Sequence, residues 1–186
     1  AWRHGSQLSR VGDGRIRRLT EERRSHGMEE LNEQQQQRIK KLDSLREMGV
    51  APYGARFEAK DRAGRLIELH GEKSKEVLEA ETISCSLAGR IVALRRFGKA
   101  GFVVLQDGSD RLQVYLKKDH LSEQGYRVAE LLDLGDWIGV TGTLFRTKTN
   151  EFTVDVTQLT FLSKALRPLP EKWHGLTDVE TRYRQR

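Results

Sequence analysis

Thiols are almost absent from this sequence of 186 residues, and their scarcity excludes several kinds of site. The one cysteine, Cys85, cannot form an internal disulfide, and without a second thiol there is no zinc knuckle or CxxC redox pair. Long apolar runs are also missing, since none approaches the roughly 20 residues that cross a bilayer. We therefore expect a protein of a reducing compartment, the cytoplasm, without a membrane span or a membrane partner.

Sequence signatures of catalysis and of metal binding are missing as well. The segment FGKAG, residues 97–101, lacks the spacing of a phosphate-binding loop, and no nucleophile elbow or paired-carboxylate pattern occurs. His70, His120 and His174 are scattered without the spacing of metal ligands. The residues therefore predict no catalytic group, no cofactor-binding residue and no metal site in this chain.

Positive charge is in excess, but it is unevenly distributed. The chain has 33 Lys and Arg against 27 Asp and Glu, a formal net charge of +6. Seven arginines and three acidic residues fall within residues 1–27, so this segment holds four of the six excess charges. Overall charge consequently says little about the folded part, and an argument for nucleic acid must come from a local face.

Residues 1–27 differ in character from the rest of the chain. Four glycines interrupt them, they show no helical or strand period, and they lack the apolar core of a secretory signal. We interpret them as a disordered leader or a non-native extension, with a native start at Met28. A basic arm that adds non-specific phosphate affinity is the alternative, and a mitochondrial presequence is a weaker one because acidic residues interrupt it.

Two helical patterns occupy residues 28–80, which we expect to form an N-terminal helical region. Apolar side chains recur every three or four positions across residues 31–45, which predicts an amphipathic helix that ends before Gly49. A second helix is predicted over residues 66–78, although Gly71 lies within it.

Beyond residue 81 the apolar period changes from helical to two, which predicts strands. Three strands, a short helix and two more strands are expected, at residues 82–96, 102–106, 111–117, 121–134 (the helix), 136–145 and 151–160. This is the order of a five-stranded Greek-key OB barrel. The predicted fold class is therefore mainly β with flanking helices: an OB-fold barrel at residues 81–163, preceded by the amphipathic helix. An open sheet sandwich is the alternative.

Alternation on the hairpin of the second and third strands separates an inner face from an outer one. Inward parity belongs to Val103, Leu105, Leu112, Val114 and Leu116, and outward parity to Phe102, Arg111, Gln113 and Tyr115. An outward ring beside an amide and a guanidinium is typical of proteins that bind unstacked RNA bases. Nearby positive charge is expected from Arg95, Arg96 and Lys99. The competing interpretation is that the N-terminal helix covers Phe102, which then belongs to the core.

Three segments of the chain resemble class II lysyl-tRNA synthetases of the bacterial type. They are AGRIVALRRFGKAGFVVLQDGSDRLQVYL (88–116), LGDWIGVTGTLFRTKTNEFTV (134–154) and KALRPLPEKWHGLTDVETRYRQR (164–186). The last is the most specific, and in this family it links the anticodon-binding barrel to the catalytic domain. Residues 164–186 are accordingly interpreted as a linker towards a catalytic domain, and the resemblance as a whole covers about residues 28–186.

Roles for four residues follow from the resemblance. Phe102 matches the aromatic residue that stacks on the central uridine of the anticodon, while Gln113 and Arg95 match the amide and the guanidinium that read this base. Glu151 matches the acidic residue near the wobble base. Parity and resemblance select Phe102 and Gln113 independently, whereas Arg95 and Glu151 rest mainly on the resemblance.

A full-length enzyme of this family activates lysine with ATP and magnesium to an adenylate, attaches it to tRNA(Lys), and forms a homodimer. The resemblance therefore implies that this segment, which lacks the catalytic motifs, is part of a lysine–tRNA ligase. Alone it is expected to bind the lysine anticodon stem-loop without catalysis, without a cofactor of its own and without dimerising. A free-standing OB module that binds single strands without sequence choice, or acts as a protein adaptor, is the alternative.

Overall fold

The computed structural model describes residues 33–167, and its elements follow the predicted order. They are α1 (Glu33–Glu47), α2 (Ala63–His70), α3 (Lys75–Glu81), β1 (Ser84–Phe97), β2 (Ala100–Gln106), β3 (Arg111–Lys117), α4 (Glu123–Glu130), β4 (Trp137–Arg146) and β5 (Phe152–Ser163). The predicted leader, residues 28–32 of the predicted helical region and most of the predicted linker, residues 168–186, lie outside the described residues.

The five strands close into a barrel in the order β1-β2-β3-β5-β4. Neighbouring strands are antiparallel except for β3 and β5, which run parallel and close the barrel. The helix α4 lies between β3 and β4 along the chain, as in an OB fold. The predicted OB barrel is confirmed, and the open sandwich is wrong because the sheet has no open edge.

Apolar side chains from alternate positions of the strands fill the barrel. The burial pattern of β2 and β3 alternates along their whole length, and the five residues with predicted inward parity are all at most 5% exposed. Helices close the ends of this core with Leu45, Leu66, Leu78 and Val128. Because the inner parity is fixed by this burial, the outer parity of Phe102, Gln113 and Tyr115 follows.

The first strand has 14 residues and pairs with two neighbouring strands. Its first half pairs with β4 and its second half with β2, and the register shifts between Ile91 and Ala93. At Gly89 the chains approach so closely that a Cβ would lie 3.0 Å from the carbonyl oxygen of Gln106. The close approach of the chains therefore lies at Gly89, whereas the bulge that bends the strand lies two residues later.

The single helix predicted over residues 66–78 is wrong, because the chain forms two helices there. Helix α2 ends at Gly71, and α3 begins after Ser74, whose hydroxyl accepts a hydrogen bond from the amide of Val77. The guanidinium of Arg146 in β4 donates to the carbonyls of Gly71 and Lys73 between the helices. A side chain of the barrel, and not a continuous helix, therefore satisfies these two carbonyl oxygens.

A buried polar cluster attaches α1 to the chain that leaves β5. Lys164, whose side chain is 0% exposed, donates to Asp133 (2.7 Å) and Asp136 (2.8 Å) in the loop before β4. Lys41 of α1 reaches the other oxygen of Asp133 at 2.5 Å. Arg38 of α1, also buried, donates to the carbonyl of Ala165 at 2.7 Å. The cluster thus joins three parts of the chain by charge-assisted hydrogen bonds.

None of the helices between residues 33 and 167 has the length and apolar character that crossing a bilayer requires.

Candidate nucleic-acid interface

Four aromatic side chains form a continuous row across the outside of the barrel. This aromatic row consists of Phe97 at the end of β1, Phe102 in β2, Tyr115 in β3 and Phe145 in β4. The ring centroids of successive members lie 5.5 Å, 5.0 Å and 6.2 Å apart, and all three pairs are tilted. Such spacing is that of favourable aromatic contacts.

The pairing of the strands determines where the aromatic row lies. Phe102 lies directly opposite Tyr115 across the β2–β3 ladder and opposite Arg95 across the β1–β2 ladder. Phe102 is half-buried, so it is neither sealed beneath α1 nor fully in solvent. The interpretation of Phe102 as a core residue covered by the N-terminal helix is therefore wrong.

A groove of about 440 Å³ runs beside the aromatic row. Its other wall is the turn between β4 and β5, with Thr147, Lys148 and Thr149. Strands β2 and β3 and the loops β1–β2 and β4–β5 are the surfaces with which OB folds bind oligonucleotides. An apolar floor beside a polar turn suits the flat face of a base with its sugar-phosphate on the rim.

Three cations on the strands and turns that carry the aromatic row are unpaired. Within residues 33–167, the exposed side chains of Arg95, Lys99 and Lys148 form no hydrogen bond or ion pair. Arg96, expected to add charge to this face, instead donates to the carbonyl oxygen of Leu132 at 2.6 Å and holds the end of α4 against the barrel. The Nη2 group of Arg96 is thus bonded to the end of α4, and the guanidinium on the residue opposite Phe102 is that of Arg95.

Gln113 and Glu151 meet on the outer face, although 38 positions separate them in the chain. The Nε2 group of Gln113 donates to Oε2 of Glu151 at 2.9 Å and to Oγ1 of Thr153 at 3.0 Å. Thr153 lies opposite Gln113 in the parallel β3–β5 pair, which brings the turn residue Glu151 within reach. Among the described residues, no hydrogen bond uses Oε1 of Gln113.

The four residues predicted for the site therefore lie on one side of the barrel. Arg95 and Phe102 face each other across the β1–β2 ladder, and Gln113, on the neighbouring strand β3, is hydrogen-bonded to Glu151. Phe97 and Phe145 were not predicted. The parity signal for Phe145 was available, because the neighbouring Leu144 points inward.

Asp107 fixes the far end of the β2–β3 hairpin that carries Phe102 and Gln113. Its carboxylate accepts hydrogen bonds from the amides of Ser109 and Asp110, and from the amide of Ala63 at the start of α2. Partial burial opposes ionisation of Asp107, but these hydrogen bonds and that of the Ser109 hydroxyl outweigh it and lower its pKa to about 2.

Two other titratable groups belong to the scaffold. Burial opposes ionisation of Asp133, but the hydrogen bonds from Lys164 and Lys41 outweigh it and lower the pKa of this carboxyl. Burial raises the pKa of the Cys85 thiol to about 12, so the thiol is neutral and unreactive at neutral pH.

Metal-ligating residues are not clustered: within residues 33–167, no three His, Cys, Asp or Glu side chains are arranged to hold a metal ion.

Comparison with known proteins agrees with this geometry. Residues 85–162 match the tRNA_anti-codon family, described as an OB-fold nucleic acid binding domain. The barrel is therefore a member of this class of nucleic-acid-binding domains.

Longer similarity identifies the type of protein in which the barrel occurs. The chain is 49% identical over 158 residues to the lysine–tRNA ligases of Bacillus cereus (strain AH187) and Streptococcus suis (strain 05ZYH33), and 48% identical to that of Bacillus cytotoxicus. Each match covers 85% of this chain and 32% of the relative. The chain is thus homologous to the anticodon-binding region of lysine–tRNA ligases, or lysyl-tRNA synthetases, and spans about a third of their length. The resemblance stated from the sequence is confirmed.

Proposed function

We propose that this chain is the tRNA-binding part of a lysyl-tRNA synthetase and that its barrel binds the anticodon of tRNA(Lys). The observation that carries the proposal is the half-buried Phe102 ring with the unpaired guanidinium of Arg95 beside it. The carbonyl oxygen of Gln113 is open on the neighbouring strand. The homology to lysine–tRNA ligases supports the choice of tRNA(Lys) over other RNA.

The central uridine of the anticodon stacks on Phe102 in this proposal. A ring that receives an unstacked base contributes about 1–3 kcal/mol. Arg95 donates to a carbonyl oxygen of the uracil, and Oε1 of Gln113 accepts a hydrogen bond from its N3–H. Glu151, which follows the β4–β5 turn and lines a second groove with Gln113, lies near the wobble base and retains Oε1 for it, because its Oε2 accepts from Gln113.

Phosphate contacts in this proposal come from two of the unpaired cations. Lys148 in the β4–β5 turn lines the groove and Lys99 lies in the β1–β2 loop, both exposed and without a partner among the described residues. Such contacts release counterions, so binding weakens with salt. They supply affinity and orientation, whereas the contacts to the base edge supply the choice of sequence.

The whole enzyme, in this proposal, activates lysine with ATP and magnesium and transfers it to tRNA(Lys) in the cytoplasm as a homodimer. ATP, magnesium and lysine then bind outside this segment, to which we assign no catalytic residue. Residues 28–80 form a helical region, residues 81–163 the anticodon-binding domain and residues 164–186 the linker to the catalytic domain.

The test is a fluorescence titration of a labelled lysine anticodon stem-loop at fixed salt. Phe102→Ala is expected to weaken binding roughly 5- to 150-fold, the stacking contribution of about 1–3 kcal/mol expressed as an affinity ratio. Trp137→Ala is the matched control. Trp137 is also half-buried on the outside of the barrel, but lies eight residues along β4 from Phe145, roughly 25 Å away.

Equal loss of affinity in both variants, or none in either, contradicts the assignment of the face. Equal affinity of the unchanged protein for unrelated oligonucleotides favours a barrel that binds single strands without sequence choice. Absence of RNA binding favours a protein adaptor.

A further inference from the structure

The hydroxyl of Thr153 has its hydrogen-bonding roles fixed by its surroundings. Its Oγ1 lies 3.1 Å from the main-chain carbonyl oxygen of Glu151, which can only accept, so the hydroxyl proton is directed there. The same oxygen lies 3.0 Å from Nε2 of Gln113. With its proton committed, Oγ1 presents a lone pair to Gln113, and Thr153 is 0% exposed, so no water competes for it.

The carboxylate of Glu151 restricts the same amide from a second side. An ionised carboxylate accepts only, and its Oε2 lies 2.9 Å from Nε2 of Gln113. Two acceptors therefore occupy both N–H groups of the Gln113 amide. Rotation of the carboxamide by half a turn would place its oxygen against two other oxygens without a hydrogen between them, which is electrostatically unfavourable.

We infer that Thr153 and Glu151 are positioning residues that hold the carboxamide of Gln113 in one orientation, so that only its carbonyl oxygen is presented to the bound base. This inference rests on the proposed function. An acceptor at this point matches the N3–H of uridine. Cytidine in the same pose presents the lone pair of its N3. This lone pair then faces a lone pair of Oε1 of Gln113, which is unfavourable. A free amide could rotate to meet either base, whereas the fixed one favours uridine.

The experiment compares stem-loops that differ only in uridine or cytidine at the central anticodon position. Thr153→Val keeps the shape of the side chain but removes the acceptor. We expect the uridine-to-cytidine affinity ratio to fall on the order of tenfold, because this is the scale on which hydrogen bonds discriminate between bases. Thr153→Ser retains the hydroxyl and is expected to keep the ratio. Glu151→Ala, at an exposed turn residue, tests the second acceptor should Thr153→Val fold poorly.

Action through Gln113 is tested by repeating each substitution in a Gln113→Ala background. There the ratio is expected not to change further, because no amide remains to be oriented. An unchanged uridine-to-cytidine ratio in Thr153→Val or Glu151→Ala, or a further fall in this ratio in the Gln113→Ala background, overturns the inference. The proposed function fails separately, if the unchanged protein does not bind the uridine stem-loop at all.

Discussion

Breaking the buried polar cluster should destabilise the protein strongly, and Asp136→Asn is the sharpest perturbation. Both oxygens of this fully buried carboxylate accept: Oδ1 from the amide of Ala165 at 2.8 Å, and Oδ2 from Lys164 and from the amide of Asp133, each at 2.8 Å. An asparagine fills the same volume, but its NH2 must face a donor on one side. The substitution also removes one of the two carboxylates that pair with Lys164.

Loss of one partner from a buried ion pair costs about 3–5 kcal/mol. Because Asp133 remains beside Lys164, we expect the lower end, about 3 kcal/mol of the free energy of unfolding. Asp43→Asn is the matched control, since Asp43 pairs with Arg46 at 3.2 Å on the exposed side of α1, with both side chains more than half exposed. There the expected loss is at most about 0.5 kcal/mol.

Urea unfolding of the 186-residue chain, followed by far-ultraviolet circular dichroism, measures both variants. The double variant Asp136→Asn with Lys164→Met should lose less than the sum of the two single variants, because the two side chains share one interaction. A loss below about 1 kcal/mol for Asp136→Asn, or strict additivity in the double variant, would refute the reasoning.

The adjacent arginines at the end of β1 should separate binding from stability. Arg95→Gln should weaken stem-loop binding and reduce its salt dependence, while the urea midpoint stays unchanged. Arg96→Gln should lose about 1–2 kcal/mol of stability, because its hydrogen bond to the carbonyl oxygen of Leu132 is removed. A loss of binding in Arg96→Gln and a loss of stability in Arg95→Gln would contradict the site. The lowered pKa of Asp107 stabilises the fold above the ordinary value of 3.8, and this stabilisation is lost as pH falls towards about 2. Melting temperatures between these two pH values should therefore depend less on pH in Asp107→Asn than in the unchanged protein, and equal slopes would exclude Asp107 as the cause.

Much of the fold was predictable because it rests on local patterns. Alternation of apolar residues gave five strands, and the helix between the third and fourth indicated the OB order. The break at Gly71 was not predicted, although Gly71 and the capping residue Ser74 are local signals for it; only the bonds from Arg146, 75 positions away, lie outside any local pattern. The buried Arg38 of α1 was missed for the same reason: its partners follow β5.

The candidate site divides in the same way. Parity alone placed Phe102, Gln113 and Tyr115 on the outer face, and the same parity rule would have found Phe145. Parity did not separate Arg95 from Arg96 in the sequence, however, because the bulge between Ile91 and Ala93 shifts the alternation along β1.

Sequence by itself predicted which side chains of β2 and β3 point out of the barrel and which point into it, because a strand alternates every two residues whatever its neighbours are. Only the tertiary structure decided what those outward side chains do to one another. The parallel pairing of β3 with β5 brings Thr153 and Glu151 to Gln113 across about forty residues of chain. A contact of this kind arises from barrel closure, which joins the last strand to the third, and no local periodicity contains it.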